Sequence, residues 1–349
     1  MATPDGDVVL LRSATDDVRI TAPSEWELTL LRALDGTFSM AELEARLGSR
    51  EVGEAIAQMQ ELNLVEDAAD DERVPATDRV RFDRQLRYFS DLGHDGGVTP
   101  SESQARLRAA RVAVIGVGGL GGRAAWELAC CGVGELWLID GDRVEMSNLN
   151  RQIQYSEDDI GQLKVEVTAA RLQAFNSELR VRAVPWRLEG QRQLAEFIAD
   201  ADLVIDSADW PAHEIEAWCN AACFAAGIPY IAMAQYPPKV RIGPLYVPGM
   251  TGCLECQRIA WRREWPEFET NLEQLRRQPT PAATLGPSSG LIGAQVGMDA
   301  MHFLTGLAEP ASLGAACMFD LLSMEVERVA VVPDSACPIC AHLQPEVRR

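Results

Sequence analysis

Lysine is nearly absent from these 349 residues: only Lys164 and Lys239 occur, so almost all positive charge is arginine. A lysine standing inside a motif is therefore harder to dismiss as background. Basic side chains of any kind are in short supply, 32 against 52 acidic ones, and the net charge of -20 repels a phosphate backbone. Nucleic acid is thereby excluded as the main partner, although a local basic pocket remains compatible with this balance. No apolar run approaches eighteen residues, and the N-terminus has no basic segment ahead of an apolar one. Neither membrane insertion nor secretion is indicated, and the expected compartment is the cytoplasm. The four histidines, His94, His213, His302 and His342, have no partner at catalytic spacing. What the chain does have is core: 47% apolar residues suffice for one large α/β domain with a small companion. Nine cysteines in such a chain mean packing, metal or catalysis before disulfides.

The first 72 residues have their own pattern. Alternating stretches around Val8–Leu11 and Val18–Ile20 read as short strands, followed by three amphipathic helices. Ser24 with Glu27, and Ser39 with Glu42, have capping-box spacing, in which a hydroxyl and a carboxylate satisfy orphan N–H groups at a helix start. This order is that of a small winged helix. Leu34-Asp35-Gly36-Thr37 and Ala41-Glu42-Leu43 resemble the PqqD-like peptide-recognition element of enzymes that modify ribosomally made peptides. That resemblance implies a precursor peptide added as a strand beside the small sheet. A DNA-binding winged helix is disfavoured, because residues 1–75 carry 17 acidic and 6 basic side chains. A packing or dimerisation module is the remaining alternative. An acidic stretch from Glu66 to Asp78, broken by Pro75, contains a linker at 73–79; from residue 80 to 349 strand and helix alternate as a mostly parallel sheet requires.

Arg111 to Gly116 reads as a buried strand that turns through Gly116, Gly118, Gly119 and Gly121 into a helix. Glycine is needed where a turn is tight and where backbone approaches phosphate, and a helix N-terminus offers N–H groups and partial positive charge. The next strand ends in Asp140, placed to hydrogen-bond ribose hydroxyls. To this point a Rossmann-like dehydrogenase fits equally well.

The polar run that follows has no place in a hydride-transfer site. Asp140 to Gln152 contains Asp142, Asn148, Arg151 and Gln152, and Gly161-Gln-Leu-Lys164 comes after it. With Arg81-Phe82-Asp83-Arg84-Gln85 upstream, residues 80 to 345 resemble the ThiF/MoeB/MccB-like superfamily, to which the ubiquitin-activating enzymes belong. The resemblance implies adenylation of a carboxylate by ATP. Asp140 would hold the ribose, Arg151 and Lys164 the triphosphate, and Asn148 would contact phosphate near the reacting centre. Asp142, Gln152 and the four glycines complete the nucleotide set. Arg84 would reach the active site of a second subunit, which implies a homodimer. Mg²⁺ would sit on Asp209, with Asp206 the weaker candidate; Trp210 stands where the family has asparagine. A carboxylate at neutral pH needs no general base, but two anions must meet, so fixed cations are the chemistry required.

Cys253-x-x-Cys256 and Cys337-x-x-Cys340 can each present two thiolates to one tetrahedral Zn²⁺, a closed structural shell; a redox pair is the competing reading. The family has a four-cysteine zinc site here. Cys130, Cys131, Cys219, Cys223 and Cys317 are expected to pack in the core. A crossover loop at about 257–285 contains no cysteine, which disfavours an enzyme-bound thioester. Three functions follow: adenylation of a precursor peptide, activation of a sulfur carrier with a Gly-Gly tail, or non-catalytic delivery of a leader peptide. The intact motif set argues against the last.

Overall fold

Val8–Leu10 (β1) and Val18–Ile20 (β2) pair antiparallel, and three helices follow: Glu25–Ala33 (α1), Met40–Leu47 (α2) and Glu51–Glu61 (α3). The computed structural model describes residues 8–10, 18–48, 51–62, 64–92, 98–277 and 283–343, so His94 lies outside the described residues. Both capping boxes form. The Ser24 N–H donates to Glu27 Oε2 at 2.6 Å while the Glu27 N–H donates to Ser24 Oγ at 3.2 Å, and Ser39 with Glu42 repeats the arrangement. The helices bury one stripe each, Leu30 and Ala33, Leu43, and Val52 and Ile56, against one another. Ser24→Ala is expected to lower the stability of this helical cluster by about 1 kcal/mol, measurable as faster hydrogen exchange at the first amides of α1.

The acidic stretch is more structured than its composition suggests. It forms a 3₁₀ turn at Ala68–Arg73, and Ala76–Arg81 (α4) starts directly after Pro75, whose fixed φ suits a helix entry. Asp83–Leu92 (α5) and Pro100–Ala109 (α6) follow. The chain divides into two compact units, residues 1–106 with 305–308, and residues 107–304 with 309–349.

In the second unit Arg111–Ile115 (β3), Gly119–Cys131 (α7), Glu135–Ile139 (β4), Lys164–Phe175 (α8), Arg180–Val184 (β5), Gln191–Ile198 (α9), Leu203–Asp206 (β6), Glu214–Ala226 (α10) and Tyr230–Tyr236 (β7) alternate as a parallel sheet demands. Lys239–Tyr246 (β8), Leu254–Glu264 (α11), Phe268–Arg277 (α12), Gly286–Thr305 (α13), Ala315–Asp320 (β9) and Val326–Ala330 (β10) complete it. The strand order is β10-β9-β8-β7-β6-β3-β4-β5; the run from β7 to β5 is parallel and β8, β9 and β10 add antiparallel. Strands covered on both faces must be apolar throughout, and Val112 to Ile115 and Leu136 to Ile139 are almost wholly buried. Each such valine or isoleucine contributes about 1.5–3 kcal/mol.

Two features of this sheet position the site. Strand order reverses between β3 and β6, and in an open α/β sheet the crevice outside the carboxyl ends of such strands is where a ligand binds. Gly293 and Gly297 then let α13 lie on α7: a Cβ at Gly293 would stand 2.5 Å from Arg123 Cγ, and one at Gly297 would stand 2.7 Å from Glu127 Cβ. Because Gly119 likewise faces Ser289, contacts advance by four residues along both helices, so the two run parallel with their N-termini side by side. The segment expected as a crossover loop is largely helical, from the end of α11 through α12, because Leu272 of α12 gains a buried contact; residues 278–282 lie outside the described residues. Among the described residues no helix is long and apolar enough to cross a membrane.

Candidate active site

The crevice at the carboxyl end of β3 is built from backbone first. Gly116 has φ of +84°, and a Cβ there would meet Ala208 at 3.2 Å, so the loops after β3 and β6 touch. Gly121 is tighter: a Cβ would lie 2.1 Å from the Gly116 carbonyl and 2.1 Å from Ser207 Oγ. Ser207 Oγ donates to the carbonyls of Ile115 and Gly116, while Gln154 and Tyr155 donate to that of Val117. The loop's carbonyls are thus turned inward and satisfied. Gly121→Ala is expected to destabilise the chain by about 1–3 kcal/mol through overpacking and to weaken nucleotide binding together with it, as read by urea denaturation and by titration with a non-hydrolysable ATP analogue.

Asp140, at the end of β4, accepts the Val117 N–H at 2.9 Å and the Asp142 N–H at 2.8 Å on its two oxygens. It ties the glycine loop to the following turn. Burial pushes its carboxyl above the usual range, with Lys164 opposing. Lys164 opens α8 and is buried; its Nζ donates to Asp142 Oδ2 at 3.2 Å. Arg187, just after β5, donates to the other oxygen of Asp142 at 2.7 Å. No motif pointed to Arg187, which stands in a loop with no glycine signature.

Asn148 is buried and accepts the Glu145 N–H at 3.0 Å, closing a 3₁₀ turn that presents the next residues. Arg151 lies across the glycine loop, its Cγ 3.3 Å from where a Cβ on Gly119 would be, and Nη1 donates to the Ser147 carbonyl and to Asn150. Ser289 Oγ stands 3.1 Å from that same Cβ position, held by Gln235 Nε2 at 3.0 Å. Ser288, Ser289 and Gln235 were also unmarked in the sequence. Gln152 is buried beside Gly118, and its Oε1 accepts no hydrogen bond among the described residues. Two parallel helix N-termini, Arg151 and Lys164 therefore surround one glycine loop, an arrangement whose partial and full positive charges call for an anion.

On the β6 side, Asp209 is exposed, whereas Asp206 is buried and its Oδ1 has no hydrogen-bond partner among the described residues. Burial raises the Asp206 carboxyl to about 7, with Glu216 adding to the effect and Arg241 opposing it. The folded state therefore holds a proton that an unfolded aspartate loses near pH ~4. Stability from this group is full below that value and is lost as pH rises to about 7. Asp206→Asn is expected to flatten the dependence of Tm on pH between those limits. Partly buried Glu216 is shared by two buried arginines, Arg241 at 3.6 Å and Arg258 at 3.8 Å, a network that no motif marks. The two candidate Mg²⁺ ligands thus differ in access, Asp209 being open to solvent and Asp206 buried.

Arg84 belongs to the first unit. Its side chain is 89% exposed on α5, with Asp83 Oδ2 at 3.7 Å.

The four motif cysteines converge. Cys253 precedes α11 and Cys256 lies in its first turn; Cys337 and Cys340 come from the turn beyond β10. All four are buried, with ligand atoms within 4.8 Å of one another, and no disulfide links them. Sγ separations are 3.9 Å for Cys253–Cys256, 3.5 Å for Cys253–Cys337 and 3.2 Å for Cys256–Cys340. A tetrahedron with Zn–S of about 2.3 Å has edges of about 3.8 Å, so the set fits one closed zinc shell. Cys256 Sγ also accepts the Asp334 N–H at 3.3 Å, a bond that favours the thiolate a metal needs. Of the other cysteines, Cys219, Cys223 and Cys317 are core residues, while Cys130 and Cys131 are half-buried.

Comparison with known proteins bears on this site. A model of the ThiF family matches residues 82–339. The sulfur carrier protein ThiS adenylyltransferase of Escherichia coli (strain K12) is 35% identical over 263 residues, 75% of this chain and 95% of its own. The molybdopterin-synthase adenylyltransferase of the same organism is 31% identical over 261 residues, 75% and 96%. Among solved structures, E. coli MccB with ATP superimposes at a TM-score of 0.70 and 25% identity, covering 96% of this chain and 97% of that one. PaaA does so at 0.73 and 25%, covering 95% and 97%. MccB is described as a Microcin C7 biosynthetic enzyme and is also known in complex with N-formylated MccA.

Proposed function

The chain belongs to the ThiF family and is an ATP-dependent adenylyltransferase, and from that premise we propose that it adenylates a carboxyl group of a ribosomally made precursor peptide. The observation that carries the peptide reading is coverage. In sequence the ThiS adenylyltransferase uses 95% of its own length to match 75% of this chain, and the family model begins only at residue 82, whereas in structure MccB superimposes on 96% of the chain. Residues 1–72, with β1, β2 and three small helices, are the peptide-recognition domain on this reading, and residues 80–349 the adenylation domain. Its acidic balance favours a basic leader.

A peptide carboxylate oxygen attacks the α-phosphorus of ATP, the bond to the bridging oxygen of the β-phosphate breaks, and acyl-adenylate and pyrophosphate result. Asp140 holds the ribose; the glycine loop, Arg151 and Lys164 take the triphosphate; Asn148 fixes the turn that carries Arg151. Gln152 lines the loop, and Asp142 keeps Lys164 oriented. Fixed cations offset the repulsion between two anions without reorganising, the main electrostatic requirement of phosphoryl chemistry. Mg²⁺ on Asp209 would supply charge neutralisation at the departing pyrophosphate. Arg84 would complete the site of a partner subunit in a homodimer, and Zn²⁺ on the four cysteines would brace the fold. With no cysteine between residues 257 and 285, the adenylate passes directly to an amine or an internal nucleophile.

A second reading, activation of a sulfur carrier, is supported by the 35% identity to the ThiS adenylyltransferase over 263 residues. ATP–pyrophosphate exchange separates the two. Exchange that depends on a candidate precursor peptide supports the proposal; exchange that depends on a Gly-Gly-tailed carrier, with none from the peptide, replaces it with the second reading.

A further inference from the structure

Asp142 is a carboxylate between two cations. Lys164 Nζ donates to Oδ2 at 3.2 Å and Arg187 Nη2 donates to Oδ1 at 2.7 Å, so each oxygen has its own partner. The aspartate itself does not move freely: its N–H donates to Asp140 at 2.8 Å, and its carbonyl accepts the Lys164 N–H at 3.0 Å. Arg187 is also fixed at its base. A Cβ on Gly141 would lie 2.5 Å from Arg187 Cγ and 2.8 Å from its backbone nitrogen, so the chain after β5 rests on the glycine between the two aspartates. Lys164 is buried, whereas the Arg187 side chain is 70% exposed.

We propose that Arg187 is a positioning residue for the nucleotide: it holds the charge of Asp142 so that Lys164 can leave that carboxylate for the triphosphate. Without a second cation, a lysine moving to phosphate leaves a half-exposed carboxylate unpaired next to a polyanion, and the two negative charges repel. With Arg187 on the other oxygen, Asp142 stays paired while Lys164 changes partner. Lys164 is thereby oriented before ATP arrives, and its departure costs little.

This inference rests on the reading that Lys164 meets the triphosphate, and the test separates the two. Affinity for α,β-methylene-ATP is measured by calorimetry on the full chain for wild type, Arg187→Gln, Arg187→Lys, Asp142→Asn and the Asp142→Asn/Arg187→Gln double variant. Expected are weakening of about tenfold in Arg187→Gln, recovery of most of it in Arg187→Lys, and no further loss when Arg187→Gln is added to Asp142→Asn, since no charge is then left to hold. An equal loss in the Asp142→Asn background overturns the proposal in favour of direct phosphate contact or a purely structural role, and so does an unaffected Arg187→Gln. If wild type binds no analogue, the nucleotide reading itself falls and takes the inference with it.

Discussion

Lys164→Ala is expected to lower peptide-dependent ATP–pyrophosphate exchange by about 10²–10³-fold. The buried ammonium is held at the mouth of the glycine loop by Asp142, and it is one of only two lysines in the chain. Removing it withdraws the cation that meets charge on the triphosphate and leaves Asp142 facing that anion with Arg187 alone. Arginine is no equivalent here, because its planar fork replaces a compact ammonium on a side chain only 9% exposed. Lys164→Arg should therefore recover little. Exchange within a few-fold of wild type in Lys164→Ala would remove the lysine from the phosphate site.

The second large effect concerns the cysteines. Cys337→Ser or Cys256→Ser should abolish stoichiometric zinc and destabilise the chain by about 4 kcal/mol or more, since loss of a structural metal is among the few changes of that size. Two pairs 84 residues apart in sequence are drawn into one buried cluster, and without an ion four thiols crowd an otherwise apolar core containing Tyr230, Tyr246 and Val331. The checks are metal analysis of purified protein and thermal denaturation with and without chelator. A metal-free protein of unchanged Tm would show that the cluster only packs.

Much of this was legible in the sequence because the chemistry depends on local order. A glycine loop after a buried strand, an acidic residue at the end of the next strand and two Cys-x-x-Cys pairs each declare themselves by spacing, and the capping boxes at Ser24 and Ser39 mark helix starts to the residue. What stayed hidden depends on contacts distant in the chain. Nothing near Arg187 or Ser289 signals that they reach Asp142 and Gly119, because β5 and α13 meet the loop only through sheet order and through the glycines of α13. Charge type alone could not reveal that Arg241 and Arg258 are buried against a partly buried Glu216, since arginine and glutamate mark surfaces far more often. The helix α12 escaped notice because a polar run carries a single buried apolar residue, Leu272.

The central claim, carboxylate attack on the α-phosphorus, is tested most directly by isotope transfer. A precursor peptide labelled with ¹⁸O in the carboxyl group to be activated is converted with ATP, and the recovered nucleotide is weighed by mass spectrometry. The account predicts AMP carrying one ¹⁸O atom from the peptide, with pyrophosphate unlabelled. ADP as the product nucleotide, with the label in phosphate, would contradict it and assign the site to phosphorylation instead.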